Sequence, residues 1–66
     1  MAAGYIEWVS PEGIGIITTI MGRIVYVNQG GEYEKWRGNT LTFRKVKEHC
    51  KMVRKMTKDD LMLELL

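Results

Sequence analysis

Cysteine is nearly absent from this chain, since Cys50 is the only one in 66 residues. A single cysteine excludes an intramolecular disulfide and a thiolate metal cluster. No apolar run approaches the roughly 20 residues of a membrane-spanning helix, and the first residues lack the pattern of a secretory signal. These absences predict a soluble protein without membrane contact, in an intracellular and reducing compartment. The cytoplasm is the simplest location, and the nucleus stays open.

Acidic residues are scarce in one part of the chain. Residues 35–58 contain nine Lys or Arg residues and a single acid, Glu48. Residues 1–34 show the opposite balance, with one base, Arg23, and four acids. The net charge is only +2, so the excess is local. It is equally consistent with a surface that faces phosphates and with a solvated strand face.

Residues with catalytic chemistry are also few. The only histidine, His49, directly precedes Cys50, and a nucleophile and its base need side chains that face each other. Adjacent side chains usually diverge, and no glycine-rich phosphate loop precedes a helix. A metal site from His49, Cys50 and one carboxylate is improbable. We therefore predict neither an enzyme nor a cofactor or metal site.

The first half of the chain contains three β-branched runs, at residues 5–9, 14–20 and 23–27. Two turn signals separate them. Pro11 and Gly13 suit a β-turn at residues 10–13, and Gly22 can take the positive φ of a tight hairpin. The pattern predicts an antiparallel meander of three strands. Both faces of the second strand are apolar, so alternation does not indicate which face is buried.

The second half predicts two more strands, at residues 40–46 and 51–56, joined by a polar connection at 47–50. Between the third and fourth strands, residues 29–37 are interpreted as a loop. Its aromatics, Tyr33 and Trp36, either pin the loop to the core or contact a ligand. Five short strands predict an all-β fold in which residues 1–56 form a small five-stranded antiparallel barrel.

Residues 57–66 form a separate tail with helical character. Thr57 is a favourable N-cap, and Asp59 and Asp60 suit the first turn. The residues that follow are apolar around the whole helix, so this short C-terminal helix should pack on the barrel, on a second copy or on a partner. We predict a homodimer or partner contact through the tail, unless the helix continues beyond this sequence or frays. The predicted contact residues are Leu61, Met62, Leu63, Leu65 and Leu66.

Three motifs in the first half carry a resemblance to a known family. They are a Gly-x-Ile-x-Trp segment at 4–8, Gly-Ile-Gly-Ile-Ile at 13–17 and Val-Tyr-Val-Asn at 25–28. Together they resemble the cold-shock domain, and the Gly-x-x-Leu-x-Phe segment at 38–43 is similar to its fourth strand. The resemblance implies an oligonucleotide-binding barrel (OB-fold) that binds single-stranded RNA or DNA by stacking, with weak sequence preference.

The resemblance also implies which residues bind. Trp8 and Tyr26 would stack bases, and Ile14 and Ile16 stand where the family has phenylalanines. Asn28 replaces a histidine, and Trp36 is a candidate loop aromatic. Basic residues would hold phosphates. The predicted nucleic-acid-binding residues are Trp8, Ile14, Ile16, Tyr26, Asn28, Trp36, Arg44, Lys45 and Arg54.

One feature leaves an alternative open. Trp8 has the same strand parity as Ile6, so only a bend or bulge turns it outward. Without that bulge Trp8 belongs to the core. A buried Trp8 and an exposed isoleucine-rich patch would favour a degenerate barrel that acts as a protein-protein interaction module.

Overall fold

The computed structural model describes residues 3–66 as a five-stranded antiparallel sheet with two short helices. The strands are β1 (Tyr5–Val9), β2 (Gly15–Thr19), β3 (Ile24–Asn28), β4 (Tyr33–Lys35) and β5 (Lys51–Met56). In space they follow the order β4-β3-β2-β1-β5, so the last strand returns beside the first. Helix α1 (Phe43–His49) lies between β4 and β5, and α2 (Lys58–Glu64) follows β5.

The predicted meander of three strands is confirmed, together with both of its turns. In the first turn the Gly13 N–H donates to the Ser10 carbonyl over 2.9 Å, and Gly13 has φ 87°. In the second turn Gly22 has φ 102°, a value that glycine adopts without strain. The structure ends β2 one residue earlier than predicted, and it begins β2 and β3 one residue later.

The prediction of a fourth strand at residues 40–46 is wrong, because residues 43–49 form α1. Thr42 is the N-cap, and its hydroxyl accepts a hydrogen bond from the Lys45 backbone N–H over 3.2 Å. Phe43, Val46 and Cys50 recur at helical spacing and turn toward the sheet, with Val46 fully buried. Leu41 and Phe43, whose alternation suggested a strand, are divided by the N-cap: Leu41 lies before the helix, and Phe43 begins its apolar stripe.

The observed fourth strand lies inside the predicted loop. β4 pairs with β3, with Tyr33 opposite Asn28 and Lys35 opposite Tyr26. A further hydrogen bond from the Trp36 N–H to the Val25 carbonyl, 2.9 Å long, extends this pairing by one residue. Among residues 3–66 no pairing joins β4 to β5, so these strands form the two edges of the sheet.

Each face of the sheet has its own core because each is covered by one helix. The α1 core lies on one face and contains Ile6, Trp8, Ile16, Val27 and Val46. The α2 core lies on the other face and contains Ile17, Met56 and Leu61. Neighbouring residues of β2 therefore point into different cores, which explains why both of its faces are apolar.

The predicted C-terminal helix is confirmed as α2. Thr57 and Asp60 form a capping box, with the Thr57 hydroxyl accepting from the Asp60 N–H and the Asp60 carboxylate accepting from the Thr57 N–H. Leu61 packs into the α2 core, whereas Met62, Leu63 and Leu66 are exposed. Neither helix in residues 3–66 has the length and apolar character needed to cross a membrane.

Candidate binding cleft

An apolar cleft opens on the side of the sheet that α1 covers. It has a volume of about 460 Å³, within the range of roughly 300–1,000 Å³ that is typical of ligand sites. The cleft lies between the β1–β2 turn, β3, the segment at 36–41 and α1. Its apolar lining consists of Ile14, Ile16, Val27, Trp36, Leu41 and Cys50, and its rim includes Glu12, Gln29, Lys45 and His49.

Strand pairing builds the floor of the cleft. Ile16 lies opposite Val27 in the β2–β3 ladder, and both side chains are buried. Ile14, one residue before β2, is held by a hydrogen bond from its N–H to the Ser10 hydroxyl over 3.0 Å. The β1–β2 turn therefore fixes the apolar side chain that extends the floor toward solvent.

Trp36 and α1 form two walls of the cleft. The Trp36 ring lies against Gly38, where a Cβ atom would come within 2.7 Å of the ring. Lys45 and His49 are four residues apart on α1, so they share one helix face and both line the cleft. Cys50 ends the helix, with its N–H donating to the Val46 carbonyl over 2.8 Å. The walls thus come from segments that were predicted as a loop, a strand and a polar connection.

The chemistry of Cys50 favours packing over reaction. Burial and the nearby Glu12 carboxylate raise the pKa of the Cys50 thiol, so the thiolate is disfavoured. Within the described chain, no three His, Cys, Asp or Glu side chains come together as metal ligands. The cleft is therefore suited to binding an apolar group by contact.

Trp8 has a structural environment and does not face solvent. It is 8% exposed, and its indole N–H donates to the Thr18 hydroxyl over 3.0 Å. The Phe43 ring packs edge-on against it, with ring centroids 5.9 Å apart and an interplanar angle of 83°. The β1–β5 register does shift next to Trp8, but Trp8 stays on the buried face. Of the two interpretations of Trp8 from the sequence, a core residue or an exposed base-stacking residue, the structure agrees with the first.

Four of the nine predicted nucleic-acid-binding residues line the cleft, and the others lie elsewhere. Ile14, Ile16, Trp36 and Lys45 are brought together. Tyr26 packs against the α2 core on the opposite face, and Asn28 accepts a hydrogen bond from the Gly31 N–H over 3.0 Å. Arg44 pairs with Glu48 on the exposed side of α1 at 3.2 Å. A single platform of stacking residues is not assembled.

Arg54 already has two carboxylate partners. Its guanidinium pairs with Glu7 at 2.9 Å and with Glu64 of α2 at 3.5 Å. The second oxygen of the Glu7 carboxylate accepts from the Tyr33 hydroxyl over 3.2 Å. Burial and the adjacent Glu7 charge raise the pKa of Tyr33 to about 12. Arg54 thus joins β5, β1 and α2, and its charge is largely compensated.

Other basic residues have no such compensation. Lys47, Lys51, Lys55 and Lys58, here called the lysine set, are exposed on α1, β5 and the start of α2. Within residues 3–66 none of them forms an ion pair. The phosphate contacts predicted from the sequence were Arg44, Lys45 and Arg54. Arg44 and Arg54 are paired with carboxylates, whereas Lys45 lines the cleft.

Comparison with protein-family models, curated proteins and solved structures finds no match for this chain. The resemblance to cold-shock domains therefore depends on the sequence motifs alone. One of its four segments, at 38–43, falls in a loop and the start of α1.

Proposed function

We propose that this protein is a protein-interaction module whose cleft receives an apolar side chain of a partner segment. The observation that supports this most strongly is the cleft itself, an open apolar hollow with buried aliphatic side chains as its floor. A partner side chain placed there extends the α1 core. Lys45 and His49 at the rim then face the polar backbone and any acidic residue of that segment.

The energetics favour one anchoring side chain. Burying a large apolar side chain contributes about 1.5–3 kcal/mol, which alone does not give micromolar affinity of roughly 8 kcal/mol. Backbone hydrogen bonds and charge contacts at the rim must supply the rest. We therefore expect a short linear segment that binds with modest affinity and dissociates readily.

Base stacking at the predicted platform has weaker support. Each stacked base contributes about 1–3 kcal/mol, but the Trp8 ring is buried and Tyr26 lies on the opposite face of the sheet. Ile14 and Ile16 offer no aromatic ring. Trp36 is the one predicted stacking aromatic that lines the cleft.

Binding of single-stranded RNA or DNA is the second candidate function, and the lysine set favours it. These four exposed lysines have no acid partner within residues 3–66, so their charges are available to phosphates. The Lys47 ammonium group also lies over the Phe43 ring, 5.4 Å from its centroid. Trp36 would stack one base, and Lys45 would hold an adjoining phosphate. Such binding should weaken steeply with salt, because each neutralised phosphate releases counterions.

A pair of charge reversals separates the two functions. Lys45→Glu changes the cleft rim, and Lys55→Glu makes the same change of charge on β5, away from the cleft. Peptides selected from a random display library are measured against both variants by fluorescence anisotropy, beside a short oligouridine. We expect peptide affinity to fall about tenfold for Lys45→Glu and to change little for Lys55→Glu. Equal losses for both variants, with oligouridine as the tighter ligand, would establish the nucleic-acid function instead.

We also propose that α2 mediates self-association. Leu61 is buried in the α2 core, whereas Leu63 is 70% exposed and Leu66 is fully exposed. Two copies could cover these side chains by two-fold pairing of the tail. Sedimentation equilibrium tests this with Leu63→Glu, and Met21→Glu in the β2–β3 turn is the matched control. A wild-type protein that stays monomeric at high micromolar concentration contradicts the proposal.

A barrel-like closure of the sheet is proposed on the basis of its curvature. In a flat sheet β1 and β4 lie about 14 Å apart, because three strand spacings separate them. The Tyr33 hydroxyl of β4 nevertheless reaches the Glu7 carboxylate of β1, and its ring covers Gly15 of β2. Nuclear Overhauser contacts between β4 and β5 test the closure. Their absence would identify an open, curled sheet.

A further inference from the structure

A second hollow lies beside the cleft, on the other side of Trp36. It is an open groove of about 560 Å³ between the β2–β3 turn, the segment after β4 and the start of α1. Trp36 and Leu41 line both the groove and the cleft. In contrast to the cleft, the groove has a mostly polar accessible lining.

Two arginines flank this groove because of the β3–β4 register. Trp36 pairs with Val25 through a backbone hydrogen bond of 2.9 Å. Continued by one step, this register brings Arg37 level with Ile24, the residue after Arg23. Arg23 and Arg37 therefore lie at the same end of the sheet, and both line the groove. Gly22 and Gly38 are the sequence neighbours of the two arginines. The Phe43 ring lies against Gly22 and the Trp36 ring against Gly38, and both rings also line the groove.

The charge of this groove is uncompensated. None of its lining residues is acidic, and within residues 3–66 neither Arg23 nor Arg37 forms an ion pair. The Thr42 hydroxyl also lines the groove and accepts a hydrogen bond from the Lys45 N–H, which leaves its own proton to donate. The N–H groups of two guanidinium side chains and one hydroxyl are hydrogen-bond donors that suit an oxyanion.

We infer that the groove between Arg23 and Arg37 binds an oxyanion carried by the partner segment, either a carboxylate or a phosphate monoester. This inference rests on the proposed function, since the apolar anchor of the same segment occupies the cleft. Trp36 and Leu41 line both hollows, so a segment that passes over them can reach the cleft and the groove together. We therefore expect the acidic residue to lie close to the apolar anchor in the sequence of that segment.

The groove can be tested without a known partner by using inorganic phosphate as the probe. The isotopically labelled protein is titrated with phosphate at constant ionic strength, with acetate as a second arm for carboxylates. We expect saturable NMR shifts at Gly22, Arg23 and Arg37. Arg23→Gln and Arg37→Gln should each weaken phosphate binding about tenfold. Arg44→Gln, which alters an arginine already paired with Glu48, should leave it unchanged.

Linear shifts that do not saturate, or an equal loss for Arg44→Gln, would overturn the oxyanion site.

Peptide selection supplies an independent readout. Peptides enriched on the wild-type protein should carry an acidic residue near an apolar one, and selection on the double variant Arg23→Gln/Arg37→Gln should lose the acidic preference but keep the apolar one. If peptides bind the cleft without any acidic preference, the inference fails and the proposed function stands. If phosphate binds but no peptide does, the proposed function fails. Tighter binding of oligouridine than of any peptide through the same arginines would assign the groove to a nucleic-acid backbone and overturn the inference.

Discussion

Removing the hydroxyl of Thr18 is the most informative change to the core. Thr18 is completely buried, and its hydroxyl accepts the hydrogen bond of the Trp8 indole N–H. Thr18→Val keeps the shape of the side chain but leaves that N–H buried without a partner. An unsatisfied buried donor costs about 1–3 kcal/mol. A chain of this length has a total stability of roughly 3–10 kcal/mol, so the loss should be large.

The size of the effect can be attributed to the Trp8–Thr18 pair by a double-mutant cycle. Trp8→Phe removes the N–H together with part of the ring that packs against Phe43. The double variant lacks both the indole N–H and the Thr18 hydroxyl, so no buried polar group of this pair is left without a partner. We therefore expect the double variant to be more stable than the sum of the single losses predicts, by about 1 kcal/mol. Thr40→Val, at an exposed position, is the matched control and should change little.

Stability in this cycle is measured by urea denaturation followed by circular dichroism, which avoids the change in tryptophan fluorescence. A loss of 1 kcal/mol corresponds to about 4–8 °C in melting temperature for a domain of this size. A Thr18→Val protein as stable as the wild type would refute the reasoning. It would mean that the Trp8 indole N–H does not depend on Thr18 in the core, and base stacking by Trp8 would again be a candidate role.

Three further predictions concern a turn, a tyrosine and the cysteine. Gly22→Ala should lower the free energy of unfolding by about 1–2 kcal/mol in urea denaturation, because alanine is strained at φ 102°. Because the pKa of Tyr33 is raised to about 12, its interaction with Glu7 is fully present below the ordinary tyrosine pKa of about 10 and is lost as pH rises to about 12. After allowance for partial exposure we expect the free energy of unfolding to fall by about 1–2 kcal/mol in that window. Tyr33→Phe should lack this fall, and identical alkaline stability profiles for the variant and the wild type would refute the prediction. Glu12→Gln should speed alkylation of Cys50 near neutral pH, because the Glu12 charge raises the thiol pKa, and an unchanged rate would contradict the geometry of the rim.

The meander and the C-terminal helix could be predicted from sequence because their signals are local. The bounds of β1 match the first β-branched run, and Gly22 and Thr57 mark a turn and a cap through their own conformational preferences. The short β4 escaped detection because three residues carry almost no periodic pattern. It pairs with the preceding strand β3 across the short segment at 29–32, where Gly30 and Gly31 were interpreted as the start of a loop.

The site was predicted less well, and one error explains most of the difference. Residues 40–46 were assigned to a strand and residues 47–50 to a polar connection, so the helix that brings Phe43 against Trp8 was missing from the prediction. Without that cover Trp8 could be placed on a binding surface. The contribution of α1 to the cleft through His49 and Cys50 was missed for the same reason. Arg37 was placed at the end of the predicted loop at 29–37. Its proximity to Arg23 could not be predicted because it depends on the β3–β4 register.

The most direct test of the proposed cleft is an NMR titration with a peptide selected on the wild-type protein. The account predicts that the amide signals of Ile14, Trp36 and Cys50 shift together and saturate, while those of Tyr26 and Asn28 on the opposite face stay unchanged. Shifts centred on Tyr26 and Asn28, with the signals of the cleft unmoved, would contradict it.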